Sequence, residues 1–244
     1  ESERLELVSE QDEKGRTLLH DAAKSGNPGS IKIVLALYPE SERLNALKDK
    51  NGWTSLCCAI SSNHAESTKL IITSFPESER LQAVCAVDNN GWTALHQAAC
   101  SKNPELIKLL LTILPETERL QVLNMQDQYG NTVLHCAAQT GHAEAIETIL
   151  NLYPESERLQ VLNMKNRREQ TVLHCAVDSD VIECIKTVLS HYPESERLHA
   201  VRMVNNVGET VLHRAARLGN FEVIETILSI YPESERLQAL NRTG

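Results

Sequence analysis

The 244-residue sequence predicts an all-α solenoid of six stacked repeats, and three observations carry that prediction. A short motif returns at a near-fixed interval: Thr17-Leu18-Leu19-His20, Thr54-Ser55-Leu56-Cys57, Thr93-Ala94-Leu95-His96, Thr132-Val133-Leu134-His135, Thr171-Val172-Leu173-His174 and Thr210-Val211-Leu212-His213. The intervals are 37, 39, 39, 39 and 39 residues, and a constant period in this range marks one supersecondary unit stacked on the next. Each motif is followed by an apolar stripe of helical spacing, such as Ala145, Ile146, Ile149 and Leu150. Each period then closes on a near-invariant Pro-Glu-Ser-Glu-Arg-Leu unit, starting at Pro39, Pro76, Pro115, Pro154, Pro193 and Pro232.

The fourth period shows why each element should form. Gly130-Asn131-Thr132 closes a hairpin-like turn, and the Thr132 hydroxyl is placed to cap a helix beginning at Val133. That helix carries Leu134, Cys136, Ala137 and Ala138, whose small alanines admit a close neighbour, and Thr140-Gly141-His142 stops it. A second helix starts at Ala143. The Pro154–Leu162 segment predicts a short third helix, with Pro in the first turn, glutamates against the helix dipole, and Leu159 and Leu162 facing inward together. Tyr38, Phe75, Tyr153, Tyr192 and Tyr231 precede the prolines and are expected to plug the third helix onto the second. The 37-residue interval traces to a segment between Arg43 and Thr54 that is two residues short. For the repeated acidic unit, a structural ladder pairing the Arg of one repeat with a Glu of its neighbour is favoured over a docking strip, since only a row of exposed ion pairs can organise a surface.

The pattern Gly-x-Thr-x-Leu-His-x-Ala-Ala, a polar link, Gly-His or Gly-Asn, and then an apolar helix resembles the ankyrin repeat over residues 12–242. Three departures stand out. Leu18, Ser55, Ala94, Val133, Val172 and Val211 occupy the site where the family has Pro; Cys57 replaces the usual His; and the period exceeds the family's length of about 33 residues. The reading is of residues 1–244 as a single ankyrin-repeat solenoid of helix–turn–helix units plus a short third helix. Repeats start near 12, 49, 88, 127, 166 and 205, and residues 1–11 form the tail of a preceding repeat. The mid-repeat start leads us to expect a piece of a longer protein.

Composition narrows the function. A net charge of −9, from 24 basic and 33 acidic side chains, argues against nucleic acid as partner. Seven cysteines follow no framework spacing, and Cys136 and Cys175, one helix packing distance of about 10 Å apart, exceed the ~7 Å reach of a disulfide. Reduced, buried thiols and a cytoplasmic location are expected. No apolar run approaches the roughly 18 residues of a membrane span. His96, His135, His174 and His213 recur in register, but side chains about 10 Å apart cannot share a zinc ion whose ligands lie at about 2.0 Å. The resemblance implies instead that this histidine orients the turn by hydrogen bonding. Cys136 and His135, adjacent on a helix, do not face each other as a nucleophile and base would. With no Gly-rich phosphate loop either, no catalysis, cofactor or metal is expected.

The resemblance implies a non-catalytic protein–protein interaction scaffold that binds through a concave surface built from turn tips and the exposed side of the first helix. Its tips differ from copy to copy where the rest repeats. Trp53, Trp92, Tyr129, Asn131, Arg167 and Arg168 are the tip candidates, with Gln139 and Arg217 from first helices. The surface should be aromatic and neutral in the second to fourth repeats and more basic beyond. Exposed Trp and Tyr are common interface anchors, whereas the competing reading lays each indole flat on its own turn. Glu169 stands where the turn Gly belongs, a strained or altered turn. A monomer with a protein partner is expected. Two alternatives stay open: a targeting or regulatory segment of a larger enzyme, and a structural spacer. The long, near-identical repeats also resemble ankyrin arrays of effectors that intracellular bacteria secrete into host cells, which would place the chain in host cytosol.

Overall fold

A computed structural model describes residues 8–38, 48–101 and 103–241. The third helix expected at 39–47, with most of the shortened segment, and the first seven residues of the expected tail lie outside the described residues. Two compact units, Glu1–Gln128 and Tyr129–Gly244, make up the chain.

The first unit holds helices α1 (Leu18–Lys24), α2 (Pro28–Leu35), α3 (Ser55–Ser61), α4 (Ala65–Thr73), α5 (Glu77–Cys85), α6 (Ala94–Cys100), α7 (Pro104–Thr112) and α8 (Glu116–Leu123). In the second lie α9 (Val133–Gln139), α10 (Ala143–Leu150), α11 (Glu155–Leu162), α12 (Val172–Asp178), α13 (Ile182–Ser190), α14 (Glu194–Arg202), α15 (Val211–Leu218), α16 (Phe221–Ile230) and α17 (Glu233–Asn241). First helices pack on first helices, α1 on α3 and α3 on α6, then α9 on α12 and α12 on α15. Second helices do the same through α2, α4 and α7 and through α10, α13 and α16. The alanine pairs Ala98-Ala99 and Ala137-Ala138 are buried at these contacts, as are Ala145, Ile146, Ile149 and Leu150 of α10. Burying such a stripe supplies most of the stability of helices this short, which are marginal alone.

Five third helices form where expected, with differences in detail. Proline is not in the first turn. Pro76, Pro115, Pro154 and Pro193 are N-caps with ψ between 142° and 145°, and their carbonyls accept the N–H of the glutamate three residues on. The glutamates thereby fall at the first and third helical positions, where the dipole favours them. Val161 and Leu162 are the fully buried pair of α11, while Leu159 is only half-buried, so the inward face is rotated by about one residue from the expected pair.

Among the described residues, the arginine ladder between repeats is not what forms. Arg80, Arg119, Arg158 and Arg236 donate Nε to the carbonyl just before the proline of their own repeat, at Phe75, Leu114, Tyr153 and Tyr231, over 3.1–3.4 Å. Arg197 reaches both Tyr192 and Leu189. The physical reason is local: the second helix ends at a proline that cannot extend it, and its orphan carbonyls need donors. The aromatic residues expected as plugs are buried, and some of them also reach across repeats. Tyr192 donates its hydroxyl to Leu162 O at 3.1 Å and Tyr231 to Val201 O at 3.3 Å, so each clasps the third helix of the preceding repeat.

Candidate functional site

Five of the turns are organised by a side chain that lies outside the recurring motif. Asp12, Asp49, Asp88, Asn166 and Asn205 sit five residues before the motif threonine. Their Oδ1 atoms each accept two backbone N–H bonds of 2.8–3.0 Å, from residues two and four further on. This is the Asx turn, a side chain standing in for backbone. The recurrence of Asp or Asn at that fixed offset was the available signal.

Neighbouring tips are then tied together by backbone. In the first unit Lys50 N donates to Lys14 O, Asn89 N to Asn51 O and Gln128 N to Asn90 O; in the second, Arg167 N donates to Tyr129 O and Asn206 N to Arg168 O. The glycine between is required twice over. Gly91 has φ +79°, and a Cβ built there would stand 2.8 Å from Gln128 N. At the equivalent place Glu169 holds a left-handed φ of 54°, so the strained alternative is the one observed.

Beneath the tips the histidines use both ring nitrogens. Thr17 N donates to His20 Nδ1 at 3.1 Å, and His20 Nε2 reaches the Trp53 carbonyl of the next repeat at 3.0 Å. His135 spans to Met164 O and Gln170 O, and His174 to Glu209 O. A backbone N–H can only donate and a carbonyl can only accept, so each ring is neutral with its proton on Nε2. Burial holds His20 low and pushes His174 down to about 4. Cys57 has no such reach; its thiol meets only Thr54 Oγ1, at 3.5 Å. None of the seven thiols is in a disulfide, and burial lifts Cys58 to about 12, which keeps it protonated and unreactive.

The structure sorts the sequence candidates. Trp53 and Trp92 occupy adjacent tips of the first unit, both half-buried, and Trp92 Nε1 donates to Asp127 Oδ2 at 3.2 Å. That indole therefore helps hold its neighbour's turn as well as lining the surface. Tyr129 is 54% exposed, and Arg167 and Arg168 are exposed on the next tip. Gln139 is exposed at the end of α9. Asn131 is buried and accepts from Asn166 Nδ2 at 2.8 Å, so it is turn structure rather than contact surface.

Arg217 is exposed but pairs with Glu209 at 2.9 Å. Arg214 bridges Asp178 and Glu209, and Gln170 Nε2 donates to Asp178 Oδ2. The first-helix face of the fifth and sixth repeats is thus a charge-compensated network, not the basic surface expected. Among the described residues, no group of three or more His, Cys, Asp or Glu could hold a metal ion, and no helix is long and apolar enough to cross a membrane.

The sequence model for ankyrin repeats matches residues 4–79, 79–158 and 151–236. No curated protein sequence matches the chain. Among solved structures, the crystal structure of the ankyrin repeat domain of Bcl-3, a member of the IkappaB protein family, is similar, with a TM-score of 0.67 and 21% identity. The likeness covers 91% of this chain and 90% of that one, and at this identity it speaks for the fold.

Proposed function

The chain belongs to the ankyrin-repeat family, and from that premise we propose that it is a non-catalytic scaffold that binds a partner protein through the turn tips and adjoining first-helix residues of its units. Ankyrin repeats are generally protein–protein interaction scaffolds and typically non-catalytic. One observation carries the assignment of the surface. Within each unit the backbone ladder holds neighbouring tips in register, yet the side chains on them vary from Lys50 to Asn89 and Arg167. The repeated His, Ala and Tyr are meanwhile buried in the packing. A rigid frame with varied outward side chains is what recognition needs, since ordering costs are met before the partner arrives.

The test is capture of a cytosolic partner by the wild type and by a Trp53→Ala/Trp92→Ala double variant. A loss of affinity of tenfold or more is expected. Removing Trp92 also takes away a donor to Asp127, so the single Trp53→Ala variant is measured alongside, with far-UV circular dichroism to show that both remain folded. Unchanged affinity in both variants would refute the assignment.

A further inference from the structure

We infer that the tips of the second unit hold an acidic, extended segment of a partner protein, with Arg167 and Arg168 as its carboxylate anchors; this rests on the tip reading above. The first support is an accounting of guanidinium groups. Arg16 pairs with Asp12 and Asp21; Arg80, Arg119, Arg158, Arg197 and Arg236 bond carbonyls; Arg202, Arg214 and Arg217 pair with acids. Among the described arginines, only Arg167 and Arg168 have side chains with no hydrogen bond or ion pair. They sit side by side on one tip of a chain whose net charge is −9. Glu169, the nearest carboxylate in sequence, lies 3.5 Å from its own lysine, Lys165.

Geometry supplies the second support. Ladder bonds of 2.9 and 3.0 Å fix Arg167 beside Tyr129 on one side and Arg168 beside Asn206 on the other. Apolar contact waits at both ends of the pair, because Tyr129 is 54% and Val207 69% exposed. Tips on successive repeats are about 10 Å apart, so the three tips span roughly 20 Å, the length of about six extended residues. The complementary ligand carries two or more carboxylates between apolar residues. A guanidinium fork matches a carboxylate by two parallel bonds, which sets register as well as charge. Nucleic acid fits poorly, since duplex binders neutralise about 6–10 phosphates and this surface offers two cations.

The probe is a fluorescein-labelled octapeptide, Gly-Leu-Glu-Asp-Glu-Asp-Phe-Gly, set against its amide analogue Gly-Leu-Gln-Asn-Gln-Asn-Phe-Gly. Binding to the whole chain is read by anisotropy at low ionic strength. The acidic peptide is expected to bind at least tenfold more tightly than the amide one, Arg167→Gln/Arg168→Gln to erase that difference, and Lys69→Gln, exposed on the second helix α4 away from the tips, to leave it intact. Equal binding of the two peptides overturns the inference, as does a preference that survives the arginine substitutions. So does a 20-base-pair DNA duplex bound more tightly than the peptide through the same arginines. A binder selected on the whole chain from a displayed random-peptide library separates the two readings. If Trp53→Ala weakens it and the arginine variant does not, this inference falls and the tip surface stands; if neither variant weakens it, both fall.

Discussion

Replacing Gly91 and Gly208, one at a time, by Ala isolates what the contact between neighbouring tips contributes. Both glycines hold φ +79°, so both substitutions carry the same backbone penalty of about 1–2 kcal/mol for a left-handed L-residue. Both recover about 0.4–1 kcal/mol because Ala has less freedom to lose from the unfolded chain. What differs is the neighbourhood. A Cβ on Gly208 meets nothing within 4 Å, whereas one on Gly91 stands 2.8 Å from Gln128 N, whose N–H is bonded to Asn90 O at 2.9 Å. That atom is backbone and cannot swing aside. The ladder bond must stretch, an overpacking cost of about 1–3 kcal/mol. Gly208→Ala should therefore lose about 1 kcal/mol and Gly91→Ala about 3 kcal/mol. Urea titration followed by far-UV circular dichroism gives both values, with m checked for constancy because repeat arrays can unfold in parts. Tryptophan fluorescence adds a local reading, as both tryptophans, Trp53 and Trp92, lie in the first unit. Equal losses for the two variants would show that the tips do not press on one another, and the argument for a rigid recognition edge would fail with it.

Three further outcomes are expected. The unfolded chain takes up the His174 proton first on acidification, so stability present above pH ~6.5 drains away toward pH 4, by about 3 kcal/mol in all. Urea midpoints from pH 7 to 4 should show this slope flatten in His174→Gln, and an unchanged slope would count against a neutral buried ring. Cys57→His restores the cross-repeat donor, while Ser55→Ala removes a buried hydroxyl that has no partner; each should raise stability by about 1 kcal/mol in thermal melts, and a lower Tm in either would contradict the account of the second repeat. Glu169→Gly should gain about 0.5 kcal/mol, the relief of a left-handed φ less the unfolded-state entropy of Gly and a weak ion pair; Glu169→Ala should gain nothing, and equal gains would place the effect in charge rather than backbone.

The period, the three helices of a repeat, the threonine caps of the first helices and the buried stripes of the second could be read from the sequence, because each depends on residues close together in the chain. Thr132 and His135 are three apart, and Ile146 and Ile149 lie on one helical face. The candidate surface was legible only as a list of positions that vary. Which of those side chains stay available was decided by partners more than thirty residues away. Asn131 is taken up by Asn166, Trp92 by Asp127, and Arg214 by Asp178. The arginines of the acidic unit went the other way, to carbonyls of their own repeat rather than to glutamates of the next, because an orphan carbonyl at a helix end needs a donor more than an exposed glutamate does. Sequence by itself thus determined the architecture, whose causes are local. Only tertiary structure decided that Arg167 and Arg168, alone among the described arginines, have side chains with no hydrogen bond or ion pair, since that depends on what lies within reach of each guanidinium.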